Sequence, residues 1–159
     1  MGLNRTLAPK IAVPLLALAV AVLSASVPVT AQSQDLIVPG HRLGPISLGM
    51  FGDEAIKLLG KPEKEESCPG CPFRVWWYQG GNYLVTVDYG PTWKVIGVST
   101  KSTRYASREG LRIGSSAYEI MKAYGQSKRQ ECGTARCYME YDDILFWLTG
   151  GQITTIVVQ

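Results

Sequence analysis

The chain has 159 residues, of which 46% are hydrophobic and 18% are charged, and its formal net charge is +3. This length fits one ordinary domain, or two half-size repeats that share a core. The charged residues form no basic stripe, which excludes the usual electrostatic footprint of a nucleic-acid-binding protein.

The N-terminal residues have the pattern of a secretory signal peptide. Arg5 and Lys10 form a short basic region, residues 11–23 form an apolar run, and Val29-Thr30-Ala31 offers small residues for cleavage. The apolar run is too short to span a bilayer comfortably. We predict a signal peptide over 1–31 and an exported protein, periplasmic or secreted, with a retained N-terminal anchor as the alternative. Cleavage lowers the number of basic residues from 16 to 14, against 13 acidic ones.

An internal repeat follows, and its two copies lie 65 positions apart. The first copy comprises Ile46 to Gly49, Glu54, Lys57 and Gly60, and the second comprises Leu111 to Gly114, Glu119, Lys122 and Gly125. A repeat sets the architecture into which the other signals must fit. We therefore predict a linker arm over 32–42, a first repeat over 43–103 and a second repeat over 104–159.

Each repeat is predicted to begin with a helix and to continue as an antiparallel meander. The first helix runs from about Asp53 to a stop at Gly60, and the second covers 117–124 before Gly125. Residues 63–67 are predicted to form a charged loop. The predicted strands are 73–78, 83–89, 93–100, 137–141, 144–149 and 153–158. The predicted fold class is α+β, with two tandem helix-plus-meander repeats and both helices on one face of the sheet.

The motif around the first helix resembles a recurrent unit of exported bacterial proteins. It comprises Gly44-Pro45-Ile46-Ser47-Leu48-Gly49-Met50, Glu54-Ala55-Ile56 and Leu59-Gly60-Lys61-Pro62. It is similar to the repeat of the β-lactamase inhibitory protein family and to outer-membrane lipoproteins of the SmpA/OmlA type. The first resemblance implies a tandem α+β repeat whose concave sheet face grips a partner protein. The second implies a scaffold subunit with one repeat and a lipidated cysteine, and this chain departs from both features.

The four cysteines lie in the part predicted to be exported, where disulfides are the default state. They are Cys68, Cys71, Cys132 and Cys137, and three pairings are formally possible. We predict two local disulfides, Cys68–Cys71 and Cys132–Cys137, each in the loop between a helix and the next strand. A zinc site built from all four thiolates and a redox dithiol at Cys68-Pro-Gly-Cys71 are the alternatives.

The sequence contains no recognisable set of catalytic residues. His41 is the only histidine, it lies in the predicted linker, and no serine nucleophile motif surrounds it. Glu54 with Lys57, and Glu119 with Lys122, are spaced as ion pairs on a solvated helix face. We predict no catalytic residues, no cofactor and no metal.

The strand aromatics provide the candidate binding site. Alternation divides each strand between two faces, and we predict that Val75, Trp77, Val85 and Val87 pack under the helices. The opposite face would then carry Arg74, Trp76, Tyr78, Tyr138, Leu145 and Trp147. Such a composition is typical of a binding hot spot, although packing against a neighbouring element is the alternative.

The prediction that follows is an exported, non-catalytic module that binds a protein partner through the sheet face opposite the helices. It includes no nucleic-acid partner and no membrane span after signal cleavage. An envelope structural or assembly factor is the alternative. An inhibitor of a secreted enzyme such as a β-lactamase, or a small redox protein, are further possibilities.

Overall fold

The computed structural model describes residues 35–88 and 93–159. The predicted signal peptide lies outside these residues. The helices are α1 (Gly52–Leu59) and α2 (Ala117–Tyr124). The strands are β1 (Leu36–Val38), β2 (Arg42–Leu43), β3 (Ile46–Ser47), β4 (Lys64–Ser67), β5 (Phe73–Tyr78), β6 (Tyr83–Asp88), β7 (Val95–Thr100), β8 (Ala106–Ser107), β9 (Arg129–Cys132), β10 (Arg136–Glu140), β11 (Ile144–Thr149) and β12 (Gln152–Val158).

The fold class predicted from the sequence is wrong. The described residues are mostly β, with twelve strands in two sheets and two eight-residue helices, instead of two helix-plus-meander α+β repeats. Six of these strands were not predicted, namely β1, β2, β3, β4, β8 and β9. They are two- to four-residue segments, or, in β4 and β9, polar runs with every side chain exposed. Such segments carry no hydrophobic alternation, so the periodicity that reveals a half-buried strand is absent from them.

The large sheet has eight antiparallel strands in the order β4-β5-β6-β7-β12-β11-β10-β9. The segment 63–67, predicted to be a charged loop, instead supplies β4, which pairs with β5 through Glu65↔Trp76 and its neighbours. At the opposite edge β9 pairs with β10, with Glu131 opposite Tyr138. Charged side chains on both edge strands disfavour the addition of a further strand from another molecule.

One face of the large sheet forms the core. Its side chains follow the register Trp76↔Val85↔Val98↔Val158↔Ile144 across five strands. All five are at most 1% exposed. Both helices contact this face. A Cβ added at Gly52 in α1 would lie 2.8 Å from Trp76 Cη2, and the Tyr124 ring of α2 lies 5.8 Å from that of Phe146 in β11.

A small four-stranded sheet, in the order β3-β2-β1-β8, covers another part of the same core face. Its buried residues include Ile37, Leu43 and Ile46. Tyr83 Oη of β6 donates a hydrogen bond of 2.5 Å to the Leu43 carbonyl, and burial raises the pKa of Tyr83. The small sheet includes β1, from the segment 32–42 that the sequence assigned to a linker arm.

The two helices begin with equivalent backbone contacts. Before α1, Gly49 N donates to the Val95 carbonyl at 2.7 Å. Before α2, Gly114 N donates to the Ile153 carbonyl at 2.8 Å. The helices end at Gly60 and Gly125, whose φ angles of +84° and +78° suit glycine. The repeated glycines of the sequence therefore mark the start and end of each helix.

Candidate functional site

The face of the large sheet that points away from the helices is called the open face here. The strand register places Trp77, Leu84, Ser99, Val157 and Leu145 in one row across five neighbouring strands of this face. None of the five side chains belongs to the buried core, and all are partly exposed. An antiparallel sheet that covers its core with one face normally presents polar side chains on the other. The aromatic and aliphatic members of this row therefore exceed what the fold requires.

The open face holds a groove with a volume of about 480 Å³. The groove crosses the central strands, and its walls combine apolar, hydroxyl and cationic side chains. The lining residues are Leu84, Ser99, Lys101, Arg136, Trp147, Leu148, Thr149, Thr154, Thr155 and Val157.

Trp147 is the largest exposed side chain in this groove, with 39% of its surface accessible. Its ring lies 5.3 Å from that of Tyr138, its cross-strand partner in β10. The pairing between β11 and β12 shifts register after Trp147, which leaves Thr154 as an extra residue. Thr154 Oγ1 donates a hydrogen bond of 3.2 Å to the Trp147 carbonyl. This β-bulge fixes the backbone from which the indole projects.

Two cations line the groove, and neither forms a salt bridge with a carboxylate of the described residues. They are Lys101, directly after β7, and Arg136, the first residue of β10. On the same face, Arg129 forms a salt bridge with Glu131, and the Arg129 guanidinium lies 5.7 Å from the Tyr138 ring centroid. The positive charge inside the groove is thus available to a ligand.

Half of the predicted binding residues lie on the core side of the sheet. Trp76 is 1% exposed, and its Nε1 donates to Glu65 at 3.1 Å. Tyr78 is 4% exposed, its hydroxyl donates to the Gly60 carbonyl at 3.4 Å, and burial raises its pKa. Arg74, half-buried, pairs across from the core residue Val87 and forms a salt bridge with Glu65 of β4. The prediction that these three residues face away from the helices is therefore wrong.

The physical reason is the register of the β5–β6 hairpin. Tyr78 pairs with Tyr83 across the turn, and this pairing brings Trp76 opposite Val85. Residues that pair directly across antiparallel strands share a face. Trp76 therefore joins Val85 in the core, and Trp77 takes the open face with Leu84.

The other predicted binding residues, Tyr138, Leu145 and Trp147, lie on the open face together. Leu84, Val157 and the two groove cations were not among the predicted binding residues, and Trp77 lies on the face opposite to the one predicted for it. The four residues 79–82 that separate the predicted strands 73–78 and 83–89 contained the missing signal, because the length of this connection fixes which residues pair across the hairpin.

The cysteines form the two predicted disulfides. Cys68 pairs with Cys71 and Cys132 with Cys137, at Cα–Cα distances of 5.3 and 4.0 Å. They close the β4–β5 and β9–β10 hairpins at the two edges of the large sheet. With all four sulfurs bonded in pairs, the thiolates that a zinc site or a reduced dithiol would need are absent from this structure.

Within residues 35–88 and 93–159, no group of three or more histidine, cysteine or acidic side chains is placed to hold a metal ion. No helix in the same ranges combines the length and apolar character needed to cross a bilayer. His41 lies exposed in the turn between β1 and β2.

The fold and the open face define a mostly β, disulfide-bonded domain built on an eight-stranded antiparallel sheet. No family model and no curated protein matches the chain. Two solved structures are similar to it. One is YjgB, a DUF4309 family protein from Bacillus subtilis, with a TM-score of 0.50 and 11% identity over 76% of this chain and 87% of that one. The other is an extracellular protein containing a SCP domain from Bacillus anthracis, with a TM-score of 0.47 and 13% identity over 69% of this chain and 43% of that one. The likeness to YjgB shows a shared fold and nothing about activity.

Proposed function

We propose that this protein is an exported, non-catalytic module that binds a partner protein through the open face of its large sheet. One observation carries the proposal. Trp147, 39% exposed, stands in a groove of about 480 Å³ on a sheet face that the core does not use. Tyr138 and Leu145 flank it on the neighbouring positions of the same face.

The physical argument concerns the cost of exposing these side chains. The core does not need an apolar side chain at position 147, because the opposite face of β11 already buries Ile144, Phe146 and Leu148. Tryptophan and tyrosine are the side chains that most often dominate the free energy of protein–protein binding. A rigid sheet also holds them in place before binding, so that little conformational entropy is lost.

Export is the second part of the proposal. The two disulfides fit a protein that leaves the reducing cytosol. The basic and apolar pattern of residues 1–31 supports a cleaved signal peptide, and the final location is the periplasm or the cell exterior.

Site-specific photocrosslinking in the producing cell tests the binding surface. A photoreactive amino acid replaces Trp147 in one variant and Tyr118 in another. Tyr118 is 70% exposed on α2, on the helix side of the molecule, and provides the matched control. We expect a discrete adduct from position 147 and none from position 118.

The captured protein is then purified, and its affinity is measured for the wild type, Trp147→Ala and Tyr118→Ala. Loss of a central aromatic anchor typically costs about 2 kcal/mol or more of binding free energy, so we expect a Kd increase of roughly thirtyfold for Trp147→Ala. Tyr118→Ala should leave the Kd unchanged. Equal adducts from the two positions, or equal affinities of the two alanine variants, would refute the open face as the binding surface.

A further inference from the structure

We infer that the groove receives an extended acidic segment of the partner, with one carboxylate beside Lys101, another beside Arg136 and an apolar side chain on Trp147. This inference rests on the proposed function and specifies the chemistry of the partner. It depends on the charges that line the groove and on those that border it.

The charged residues that line the groove are all cationic. Lys101 and Arg136 both contribute to its wall, and no aspartate or glutamate does. Some basic side chains elsewhere on the described surface do pair with acids, as Arg104 does with Asp35 and Lys128 with Asp142. Two cations without acidic partners in one groove leave a positive potential that an anionic group can neutralise.

The hydroxyl groups of the groove favour the same class of ligand. Ser99, Thr149 and Thr155 line it beside the cations. A hydroxyl can donate a hydrogen bond to a carboxylate oxygen, and such charge-assisted bonds are stronger than those between neutral groups. The apolar wall of Leu84, Val157 and Trp147 requires that the ligand also bring apolar side chains.

The acidic residues around the groove distinguish a peptide from a polyanion. Glu140 pairs across from Leu145, and Glu131 pairs across from Tyr138, so both carboxylates share the open face with the groove. A nucleic-acid strand that crossed the sheet would carry its phosphates past these two carboxylates. A peptide segment with spaced carboxylates can place its charges beside the cations alone.

Two synthetic peptides test the inference directly. Each has ten residues and blocked termini. One alternates glutamate with leucine and phenylalanine, and the other replaces every glutamate with glutamine. The peptides are titrated into the disulfide-intact, 15N-labelled protein without its signal peptide, and the amide shifts of the open-face strands and the indole shift of Trp147 are followed by NMR.

We expect the glutamate peptide to shift the open-face resonances and to bind about tenfold more tightly than the glutamine peptide at low salt, since two ion pairs are involved. The double variant Lys101→Gln/Arg136→Gln should remove this difference. The matched control Lys57→Gln/Lys122→Gln removes two exposed cations from the helices and should preserve it. A salt concentration of 0.5 M should also reduce the difference.

Several results would overturn the inference. If both peptides bind equally and Trp147→Ala abolishes both, the open face binds peptides without selecting acidic ones, and the proposed function stands. If neither peptide shifts the open face, the acidic segment is rejected, and photocrosslinking at position 147 still decides the proposed function. A ten-nucleotide oligothymidylate provides the third arm. Tighter binding of this strand than of the glutamate peptide would assign the cations to nucleic acid.

Discussion

The starts of α1 and α2 use the same backbone geometry with different side chains. In each, the third helical residue is a glutamate that accepts a hydrogen bond from the N-cap amide, Glu54 from Phe51 and Glu119 from Ser116. At α2 the Ser116 hydroxyl also accepts from Glu119 N at 3.3 Å, which completes a reciprocal capping box. At α1 the Phe51 side chain can accept nothing and lies 53% exposed.

The two helix starts show which features of the segment before each helix the fold requires. The glycine before the helix, the contact with a central strand and the glutamate occur in both copies. The side chain of the N-cap residue is free to differ. In the second copy, the hydrogen bonds that the Ser116 amide and hydroxyl donate to the Glu119 carboxylate lower the pKa of Glu119. The first copy lacks the serine cap and presents an aromatic ring, with Lys94 Nζ 5.5 Å from its centroid.

The largest expected effect comes from the first residue of each helix, which is Gly52 in α1 and Ala117 in α2. A Cβ at position 52 would lie 2.8 Å from Trp76 Cη2 and 3.3 Å from the Trp93 carbonyl oxygen. Trp76 is 1% exposed, so its ring would have to shift within the packed core to make room. We expect Gly52→Ala to lower the free energy of unfolding by about 1–2 kcal/mol, because overpacking outweighs the better helix propensity of alanine.

Urea unfolding followed by circular dichroism measures this change. Gly133→Ala is the matched control, since Gly133 lies in the β9–β10 turn without a positive φ and its added Cβ would come no closer than 3.7 Å to the Arg136 carbonyl oxygen. Equal unfolding midpoints for the two variants would show that Trp76 does not restrict position 52.

An intermediate effect is expected from removal of the complete cap. Ser116→Ala deletes the hydroxyl that bonds both Glu119 N and the Glu119 carboxylate. We expect a loss of about 1 kcal/mol in the free energy of unfolding, the usual cost of an N-cap serine. Ser116→Thr keeps the hydroxyl and should recover most of the loss in the same urea experiment. If Ser116→Thr were as unstable as Ser116→Ala, the capping role of the hydroxyl would be contradicted.

The smallest effect has the opposite sign. Phe51→Ser gives α1 the cap that α2 already has, and Glu54 is in place to complete the box. We expect a gain of about 0.5 kcal/mol, less than a full cap, because the Phe51 ring loses its contact with Lys94. Differential scanning calorimetry of Phe51→Ser and Phe51→Ala measures this gain in stability. If the serine variant is no more stable than the alanine variant, a serine at position 51 does not cap α1.

The sequence predicted the elements that carry a strong local signal. The helix over 117–124 matches α2, and the strands over 73–78 and 144–149 match β5 and β11. Glycines that end helices and regular hydrophobic alternation are local properties, and they can be read from one chain. The edge strands and the small sheet are defined by backbone pairing, which for β1 and β8 joins distant parts of the chain. No local sequence pattern predicts such pairing.

The sheet faces of the candidate binding residues were predicted in part for the same reason. Tyr138, Leu145 and Trp147 were assigned to the open face, and they lie there. Trp76 and Tyr78 were assigned to that face although their hairpin register excludes it. The groove cations could not be found, since Lys101 and Arg136 are 35 positions apart and only the pairing of β7, β12, β11 and β10 brings them to one groove.

The position of β12 has a consequence for the order in which the protein folds. This strand, Gln152–Val158, lies in the middle of the large sheet, between β7 and β11. The strands β4 to β7 can pair as soon as they are synthesised, but they cannot join β9 to β11 until residue 158 is available. Non-local pairing of this kind slows folding. A chain emerging from a ribosome or a translocon therefore cannot complete the large sheet before β12 has emerged.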